Sequence, residues 1–523
     1  MRFFCSFLAL LLVSLVAAPA QAAPRQWLHL ESDHFVFYTD LDEEAAKKVI
    51  LDLEKFRFTV GQLTGLDLSE DPAPRLKIYG FSKLKTYQKD MNEARTLGIY
   101  QASANGAASA MSLENGKKIW QTSGIQVIFH EYVHHITNQY SSLNYPRWYS
   151  EGFAEYLGTM EFDGKKAIIG KPAVQRFPLL KTDRNWLRMN EIFKIKGEYV
   201  GKVRNQNRLG EMYAQGWLLA HYIHNSGRGR TTAIGDFIKG INQPGSDYEK
   251  LFQETFKTSF SDFDKEVKSY WFGRELAVGV IDLTDKMPDF KLSTVRALSK
   301  AESKIIVDEA LLLTGKLWNS GGKAKRRKKE VKKRFVKALA AGVRPLDLNM
   351  YLARIARVDD DYTSAGKYID AALEIAPDNV AALTLKGKIL DESPENKENS
   401  PALLRRVKNL YAKAIKIDPS YLPALTAYVY MTFRIDVEVK PETFEILESI
   451  RYLAPALNNG KSMEVAALRK AKRYDEAKAK LQLMIDWAFS DKYLRALKKR
   501  MEGLKAAAAA HKRSLATVTV EDA

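Results

Sequence analysis

The sequence predicts an α+β domain followed by an all-α domain of helical repeats. Between residues 24 and 275, short alternating stretches typical of strands are mixed with stretches of helical periodicity. From about residue 295 to residue 510 the pattern is helical throughout, and one sequence motif recurs within it. At 523 residues, the chain is long enough to form two domains with separate cores.

The chain starts Met-Arg-Phe-Phe-Cys, so it carries a charge at Arg2, and continues with an apolar run from Leu8 to Ala18 and the small-residue sequence Ala20-Gln-Ala22. This order is typical of a secretory signal peptide, and we predict that residues 1–22 are a signal cleaved after Ala22. The apolar run is short for a membrane span, although an uncleaved anchor is the alternative. The protein is therefore predicted to be exported, either periplasmic or secreted in a bacterium, and membrane-associated if the anchor is retained.

The chain contains one cysteine, Cys5, which lies within the predicted signal. The mature chain would therefore have no thiol, so it could form no disulfide and offer no thiolate ligand. Any metal ion must then be held by histidine, aspartate or glutamate side chains.

The formal net charge is +18, and residues Lys323 to Arg334 contribute a dense basic cluster to it. We interpret this cluster as a solvated helix face or loop, with contact to an anionic surface such as phospholipid or lipopolysaccharide as the alternative. Nucleic acid is not an expected partner, because no aromatic residues alternate with the basic ones and because the protein is predicted to be exported.

The α+β domain, residues 24–275, contains predicted strands at His34–Tyr38 and Arg75–Tyr79, and small, polar edge strands within Gly98–Leu113. Asp163-Gly164 predicts a hairpin turn. Helical periodicity predicts helices at 43–63, 125–140, 148–160, 209–224, 232–241 and 261–272. Residues 276–295 are predicted as a linker, and residues 296–515 as the helical domain.

The repeat within the helical domain pairs the segment Ala371–Pro377 with the segment Ala414–Pro419. Their separation corresponds to one repeat of about 34 residues plus a polar insert. A weaker third copy is predicted to begin at Ala466, with residues 473–477 as the end of its first helix. These segments resemble tetratricopeptide repeats, although the tryptophan and glycine positions of that family are not clearly filled. The resemblance implies a protein partner bound by the repeats.

The residues His130-Glu131-Tyr-Val-His134 form an H-E-x-x-H motif within a predicted amphipathic helix. Positions i and i+4 lie one helical turn apart on the same face, so both imidazoles can reach one zinc ion. The intervening Glu131 is rotated away from the metal position and is predicted to act as general base toward the attacking water.

A catalytic zinc site requires a third protein ligand, and the next predicted helix offers two carboxylates, Glu151 and Glu155. They also stand at positions i and i+4, so both can face the H-E-x-x-H helix. The spacing of the residues alone leaves both candidates open.

Together, the two motifs resemble the gluzincin metallopeptidases, the peptidase MA-like group that includes the thermolysin and aminopeptidase N types. The sequence Ser-Glu151-Gly-Phe-Ala is similar to the Asn-Glu-Gly-Phe-Ala segment that supplies the third ligand in aminopeptidase N relatives. The resemblance implies a zincin-like fold, Glu151 as the third zinc ligand, and Glu155 as a hydrogen-bonding partner that orients His130. The interval from His134 to Glu151 is shorter than in either relative, and Glu155 fits the thermolysin spacing better.

The segment Tyr213-Ala-Gln215-Gly216 resembles the Tyr-x-Lys-Gly segment of aminopeptidase N relatives, with glutamine in place of lysine. The resemblance implies that the Tyr213 hydroxyl stabilises the tetrahedral intermediate. The alternatives are that Tyr213 is a core residue, or that His221 or His224 on the same helix takes this role.

The predicted function is an exported zinc-dependent metallopeptidase that hydrolyses peptide bonds in a protein or peptide substrate, with Zn²⁺ as cofactor. The helical repeats would recruit the substrate or a partner. The first alternative is an interaction protein of the tetratricopeptide type, in which a metal-stabilised peptidase-like domain is only a scaffold. A zinc hydrolase acting on a non-peptide amide, for instance in the cell wall, is a second alternative.

Overall fold

The computed structural model of the chain describes residues 25–68, 74–94, 96–103, 106–114, 123–182, 184, 186–193, 206–273, 276–319, 321–394, 400–488 and 490–521. The predicted signal peptide, residues 1–22, lies outside the described residues. Among the helices that are described, none combines the length and the apolar character that a membrane crossing requires.

Two sheets form the framework of the first half of the chain. The strands of the larger sheet are β1 (Leu28–Glu31), β2 (Phe35–Thr39), β3 (Leu76–Phe81), β4 (Gly98–Ser103), β5 (Gly106–Ser112) and β9 (Thr294–Ala297). Their spatial order is β4-β5-β3-β2-β1-β9, and the central strands β2, β3 and β5 are parallel. A smaller sheet has the order β6-β7-β8, with strands β6 (Glu161–Asp163), β7 (Lys166–Ile169) and β8 (Gly279–Asp282). Strand β4 forms one edge of the larger sheet.

The stretch predicted as a linker, residues 276–295, takes part in both sheets. Strand β8 pairs with β7, and strand β9 pairs antiparallel with β1, so that Leu28 lies opposite Ala297. Residues 276–295 are therefore not a plain connector, since they supply strands to the framework of the first half.

Ten helices are described in the first half of the chain. They are α1 (Glu43–Thr64), α2 (Leu84–Met91), α3 (Gly124–Tyr140), α4 (Arg147–Gly158), α5 (Phe177–Leu180), α6 (Met189–Ile192), α7 (Gln206–Asn225), α8 (Arg230–Ile241), α9 (Tyr248–Phe256) and α10 (Phe260–Phe272). The helices predicted from periodicity correspond to α1, α3, α4, α7, α8 and α10. The short helices α2, α5, α6 and α9 escaped prediction, because so few residues give too little periodic signal.

Helix α3 begins where the sequence predicts it to begin. Gln126 N–H donates to Ser123 Oγ at 3.4 Å, and Ser123 N–H donates to Gln126 Oε1 at 3.1 Å, which completes a capping box. The buried face of α3 packs on α1, where the Phe129 ring stacks on Phe56 at a centroid distance of 4.1 Å. The other face, which is only partly buried, is left to the polar residues of the H-E-x-x-H motif.

Helices α4 and α7 cross at two glycines, Gly152 and Gly216. A Cβ atom on Gly152 would collide with the backbone of Gly216, and a Cβ atom on Gly216 would lie 2.6 Å from the Trp148 carbonyl oxygen. The two backbones can approach this closely only because neither position carries a side chain. This close approach brings the residue before Gly152, Glu151, to the level of Tyr213.

The second half of the chain is entirely helical from residue 300 onward among the residues described. Its helices are α11 (Lys300–Ser303), α12 (Ile306–Leu313), α13 (Gly322–Ala340), α14 (Pro345–Val358), α15 (Tyr362–Ile375), α16 (Val380–Glu392), α17 (Pro401–Ile417), α18 (Leu422–Ile435), α19 (Pro441–Leu453), α20 (Asn458–Lys470), α21 (Tyr474–Asp486) and α22 (Asp491–Glu521). From α13 to α22, successive helices pack against one another, as expected for helical repeats. The prediction of a predominantly helical, repeat-like second half is confirmed.

One detail of the predicted repeats is wrong. Residues 473–477 do not end a helix, because α21 begins within this segment, at Tyr474. The segment is polar and short, so its sequence pattern does not distinguish the start of a helix from its end.

The two halves of the chain share a hydrophobic core. One face of the larger sheet packs against α12, α13 and α14. Within this core, the buried carboxylate of Glu309 accepts a hydrogen bond from the Tyr79 hydroxyl at 2.8 Å and pairs with Arg344 at 2.6 Å. The helical half is thus joined to the sheet by both apolar packing and a buried ion pair.

The substitution Gly152→Ala tests the crossing of α4 and α7. We expect it to lower the free energy of unfolding by about 2 kcal/mol or more, because the methyl group must push two backbones apart. The matched control is Gly235→Ala, since Gly235 lies within α8 with no atom near its Cβ position. That change should stabilise the protein by about 0.5–1 kcal/mol through reduced chain entropy. Urea unfolding measures both values, and equal effects of the two substitutions would contradict the account.

Candidate metal centre

The two histidines of the H-E-x-x-H motif lie on the partly open face of α3. The side chains of His130 and His134 are 16% and 18% exposed, so each ring is largely enclosed but still reachable from solvent. Their Nε2 atoms lie 3.2 Å apart, because the residues are separated by one helical turn. The spacing predicted from sequence therefore brings the two rings together.

Glu151 on α4 completes a group of three. Its Oε2 atom lies 3.3 Å from His134 Nε2 and 3.5 Å from His130 Nε2. Three ligand atoms at zinc bond lengths of about 2.0–2.1 Å and tetrahedral angles would lie about 3.3 Å from one another. The three separations in the structure agree with this value, so the residues fit a tetrahedral ion with one position left for a non-protein ligand.

Within the described part of the chain, His130, His134 and Glu151 form a group of histidine and acidic side chains able to hold a metal ion. Three polar atoms that converge in a largely enclosed place lose hydration, which is costly unless a partner replaces the water. A divalent cation satisfies all three atoms at once. Glu155, the other carboxylate candidate, lies outside the group.

Glu155 instead contacts the far side of the His130 ring. Its Oε1 atom lies 3.6 Å from His130 Nδ1, and Arg176 holds the carboxylate with two N–H groups, one of them at 3.0 Å. His134 Nδ1 lies 3.3 Å from the Ser150 hydroxyl. Such contacts to the nitrogen that does not face the metal fix the orientation of a ligand histidine.

The electrostatics of the group favour a carboxylate anion at Glu151. Burial alone would raise the pKa of Glu151, but hydrogen bonds from His130 and His134 outweigh burial and hold that pKa well below its usual range. Burial likewise opposes the charged form of His130, yet the Glu151 hydrogen bond and the Glu155 charge raise the pKa of His130. The carboxylates of Glu151 and Glu155 therefore stabilise positive charge at the His130 ring.

Glu131 is partly buried, and its charge acts on both His130 of α3 and Tyr100 of β4. Burial and the Glu131 carboxylate together raise the pKa of Tyr100, a residue of β4. The Tyr100 hydroxyl lies 2.7 Å from His135 Nδ1, and the His135 ring stacks on Tyr132. His135 is thus occupied by packing, while Glu131 lies between the three-residue group and β4.

Tyr213 on α7 lies beside the group, on the opposite helix of the glycine crossing. Its hydroxyl interacts with Glu151 and Arg147, and burial followed by the Glu151 charge raises the pKa of Tyr213. The guanidinium of Arg176 lies over the Tyr213 ring, 5.2 Å from its centroid. Tyr213 therefore contacts residues of the site through its hydroxyl and also through the face of its ring.

Two arginines at the site were not found by sequence reasoning. Arg147 lies one turn before Glu151 on α4, with 3.5 Å between Arg147 Nη2 and Glu151 Oε1, so this helical spacing was a usable signal. Arg176 comes from the short helical turn before α5, and nothing local in the sequence relates it to Glu155. The Nε atom of Arg147 is buried without a hydrogen-bond partner among the described residues.

The two histidines considered as alternatives to Tyr213 lie in the core. His221 Nε2 lies 2.9 Å from the Gly170 carbonyl oxygen, and His221 Nδ1 lies 2.8 Å from the Tyr270 hydroxyl. His224 packs among aromatic rings, and burial lowers its pKa to about 4. Neither ring is placed beside the three-residue group, whereas Tyr213 is.

Cavities on both sides of α3 are lined jointly by the α+β half and by the helical repeats. One, of about 270 Å³, includes Tyr100 and His135 on one wall and Leu422 and Leu453 on the other. A second, of about 510 Å³, reaches Ser150, which contacts His134. The repeats therefore form walls of the space next to the metal-site helix.

The basic cluster Lys323–Arg334 lies on α13, in agreement with its interpretation as a helix face. Arg334 pairs with Asp308 at 2.6 Å, and Lys328 pairs with Asp359. Besides Arg334, the exposed basic residues of the cluster are Lys323, Lys325, Arg326, Lys329 and Lys333. Contact of these residues with an anionic surface stays a prediction.

No protein-family model matches the chain, and no curated protein sequence matches it. Matches to solved structures include the tetratricopeptide-repeat protein TTC0263 of Thermus thermophilus, with 16% identity, a TM-score of 0.28, and coverage of 35% of this chain and 93% of that one. They also include yeast Tom70, with 14% identity, a TM-score of 0.26, and coverage of 76% and 73%. Likenesses this weak carry no argument about function.

The comparisons correct the assignment made from sequence. The chain was identified as resembling gluzincin metallopeptidases, but the structures found to be similar are tetratricopeptide-repeat proteins, so the assignment to the gluzincin family is wrong. These comparisons do not bear on whether the chain has a catalytic activity. The repeat part of the description fits. These findings do not establish a zincin domain in the first half of the chain.

We expect the purified protein to bind about one zinc ion per chain. Glu151→Ala removes one of three ligands and should abolish stoichiometric binding, whereas Glu155→Ala should weaken binding by about 10–100-fold, because it removes only the group that orients His130. Glu161→Ala, at an exposed glutamate of β6, is the control and should change nothing. Competition with a chromophoric chelator measures all three affinities. A larger loss from Glu155→Ala than from Glu151→Ala would reverse the assignment of the ligand.

Proposed function

We propose that the chain is a zinc-dependent hydrolase of peptide bonds, with His130, His134 and Glu151 as ligands and Glu131 as general base. The observation that carries the proposal is the set of distances among the three ligand atoms, 3.2, 3.3 and 3.5 Å, which fits a tetrahedral ion. The proposal rests on this geometry and on no family assignment.

Zinc held by these residues would supply a Lewis acid that polarises the scissile carbonyl and makes a water molecule more acidic. The chain supplies the remaining groups. Glu131 follows His130 on α3, so its carboxylate lies beside the ligand group without belonging to it. From this position it accepts the proton of the attacking water and passes it to the departing amine.

Tyr213 and Arg147 supply hydrogen-bond donors on the other side of the group. Burial and the Glu151 charge raise the pKa of Tyr213, so the phenol keeps its proton and acts as a donor. Arg147 lies at the same carboxylate and has a buried Nε–H without a described partner. Donors placed here stabilise the negative charge that develops on the carbonyl oxygen in the transition state.

Strand β4 offers a place for the substrate backbone. It is the edge strand of the larger sheet and runs next to α3, close to Glu131 and its neighbour Tyr100. A peptide that pairs with an open edge gains backbone hydrogen bonds irrespective of its sequence. The helical repeats face the same space and would then contact the substrate side chains.

The decisive substitution is Glu131→Gln. It removes the base but keeps the shape of the side chain, so we expect one bound zinc per chain and at least about a 10³-fold lower rate of peptide hydrolysis. The control is Glu114→Gln, because the Glu114 carboxylate is outside the three-residue group and accepts a hydrogen bond from the backbone N–H of Leu84. Cleavage of unfolded casein measures the rate. Equal cleavage by the wild type and by Glu131→Gln would remove Glu131 from the mechanism.

Tyr213→Phe tests the hydroxyl separately. We expect kcat to fall by about 10²–10³-fold with little change in KM, because the hydrogen bond is formed to charge that appears in the transition state. Zinc affinity should stay within a few-fold of the wild type. An unchanged kcat would mean that Tyr213 is a packing residue.

A second candidate function is an interaction protein whose helical repeats bind a partner while the three-residue group only stabilises the fold. The helical half, α13 to α22, and the cavities along it favour this alternative. The Glu131→Gln protein separates the two: under the interaction function it would complement a deletion strain fully, and under the hydrolase function it would not.

A further inference from the structure

A cavity lies between the larger sheet and the first pairs of repeat helices. Its volume is about 850 Å³, which is enough for several residues of an extended peptide. Residues of β4 and β5, among them Ser103 and Gly106, line one wall, and residues of α14 and α16 line the other. Trp318, 39% exposed, adds an aromatic surface at the rim.

The charged side chains that line this cavity are mostly basic. Its lining contains five basic side chains, Arg75, Lys77, Arg354, Arg357 and Lys388, and a single acid, Asp347. Asp347 is already paired with Arg344 at 2.8 Å. The cavity wall therefore carries an excess of positive charge in a concave, partly enclosed place, where the field of the cations is focused.

Two of these cations have no ion pair within the described chain. Arg75 pairs with Glu31 at 3.0 Å, Lys77 lies 3.7 Å from Glu309, and Arg357 pairs with Glu392 at 2.6 Å. Lys388 and Arg354 make no such contact, although both are partly buried.

The surroundings of Lys388 disfavour an unaccompanied charge. Burial, followed by the charges of Arg357 and Arg354, lowers the pKa of Lys388. A buried cation beside two further cations is costly unless an anion accompanies it. The cavity is thus built to gain free energy when a negatively charged ligand enters.

This cavity adjoins the 270 Å³ cavity beside α3. It shares Pro74, Ser103, Gly106 and Ala107 with the 270 Å³ cavity, which reaches Tyr100 and His135. The shared residues include the last residue of β4, Ser103, and the first residue of β5, Gly106. A chain lying along β4 from Tyr100 to Ser103 would span about 10 Å, the length of three extended residues, and would arrive at the cationic cavity.

From this arrangement we propose that the cavity lined by Arg354 and Lys388 binds an acidic segment of a peptide, whose aspartate or glutamate side chains pair with these two cations. The inference rests on the proposed function in one respect: the bound segment would belong to the substrate, with the bond to be cleaved lying farther along β4. The substrate class is then a peptide or unfolded protein with acidic residues several positions from the cleavage point.

The test uses the full-length protein and a fluorescein-labelled, acetylated and amidated peptide rich in aspartate. Its counterpart carries asparagine at every aspartate position, and a third peptide is the asparagine version with a free C-terminal carboxylate. Fluorescence anisotropy gives the affinities. We expect the aspartate peptide to bind at least about tenfold more tightly than the other two, with affinity falling as salt rises.

The variants Lys388→Met and Arg354→Gln should each weaken binding of the aspartate peptide by at least about tenfold. The control Lys329→Met removes the same charge from an exposed position of α13 and should leave the affinity within about twofold of the wild type. Thermal melting of each variant verifies the fold, and the three wild-type affinities remain decisive if one variant is unstable. Equal binding of all three peptides, or equal effects of Lys388→Met and Lys329→Met, would overturn the proposal.

Further controls distinguish a failure of the binding proposal from a failure of the hydrolase proposal. The anisotropy measurement is repeated on protein treated with a chelator and on Glu131→Gln, where affinity for the aspartate peptide should be unchanged. Displacement of the peptide by inorganic phosphate at equal concentration would show a general anion site and overturn the assignment to an acidic peptide. Selective binding of the aspartate peptide without hydrolysis would support the acidic-peptide site and contradict the proposed hydrolase. Hydrolysis with no preference for acidic peptides would support the hydrolase and contradict the acidic-peptide site.

Discussion

The close crossing of α4 and α7 at Gly152 and Gly216 is the constraint on which the site depends. Because neither glycine has a side chain, the two backbones touch, and Glu151 is held at a fixed height against α3. From there its carboxylate lies within 3.5 Å of both histidine Nε2 atoms. A small outward shift of α4 would separate these atoms, since a ligand group tolerates errors of only a few tenths of an ångström.

The features that could be predicted from sequence are those set by local spacing. His130 and His134 meet because they lie four residues apart on one helix, and the Ser123 and Gln126 side chains define where that helix begins. Other features depend on distant parts of the chain. Strand β9 pairs with β1 across more than 250 residues, and Arg176 reaches Glu155 from the short helical turn before α5. Neither contact leaves a periodic pattern in the nearby sequence. The family resemblance was wrong because two short motifs carried it, and short motifs describe a site rather than a fold.

Cavities next to the metal-site helix are lined jointly by residues of α3 and of the helical repeats, and one of them is also lined by residues of β4. In tetratricopeptide-like arrays the inner helix faces ordinarily form a binding surface of their own. Here the sheet closes part of that surface, and the buried pair of Glu309 and Arg344 joins the two halves at this point. A ligand held by the repeats in these cavities would lie beside α3, the helix that carries two of the three candidate metal ligands.

X-ray absorption spectroscopy of the protein loaded with one equivalent of zinc tests the central claim most directly. The account predicts a four-coordinate ion with two imidazole nitrogens and two oxygens at about 2.0–2.1 Å, the second oxygen coming from solvent. The imidazole scattering should disappear in His130→Ala/His134→Ala. A six-coordinate shell of oxygen atoms, or an imidazole signal that survives this double substitution, would contradict the assignment of the metal centre.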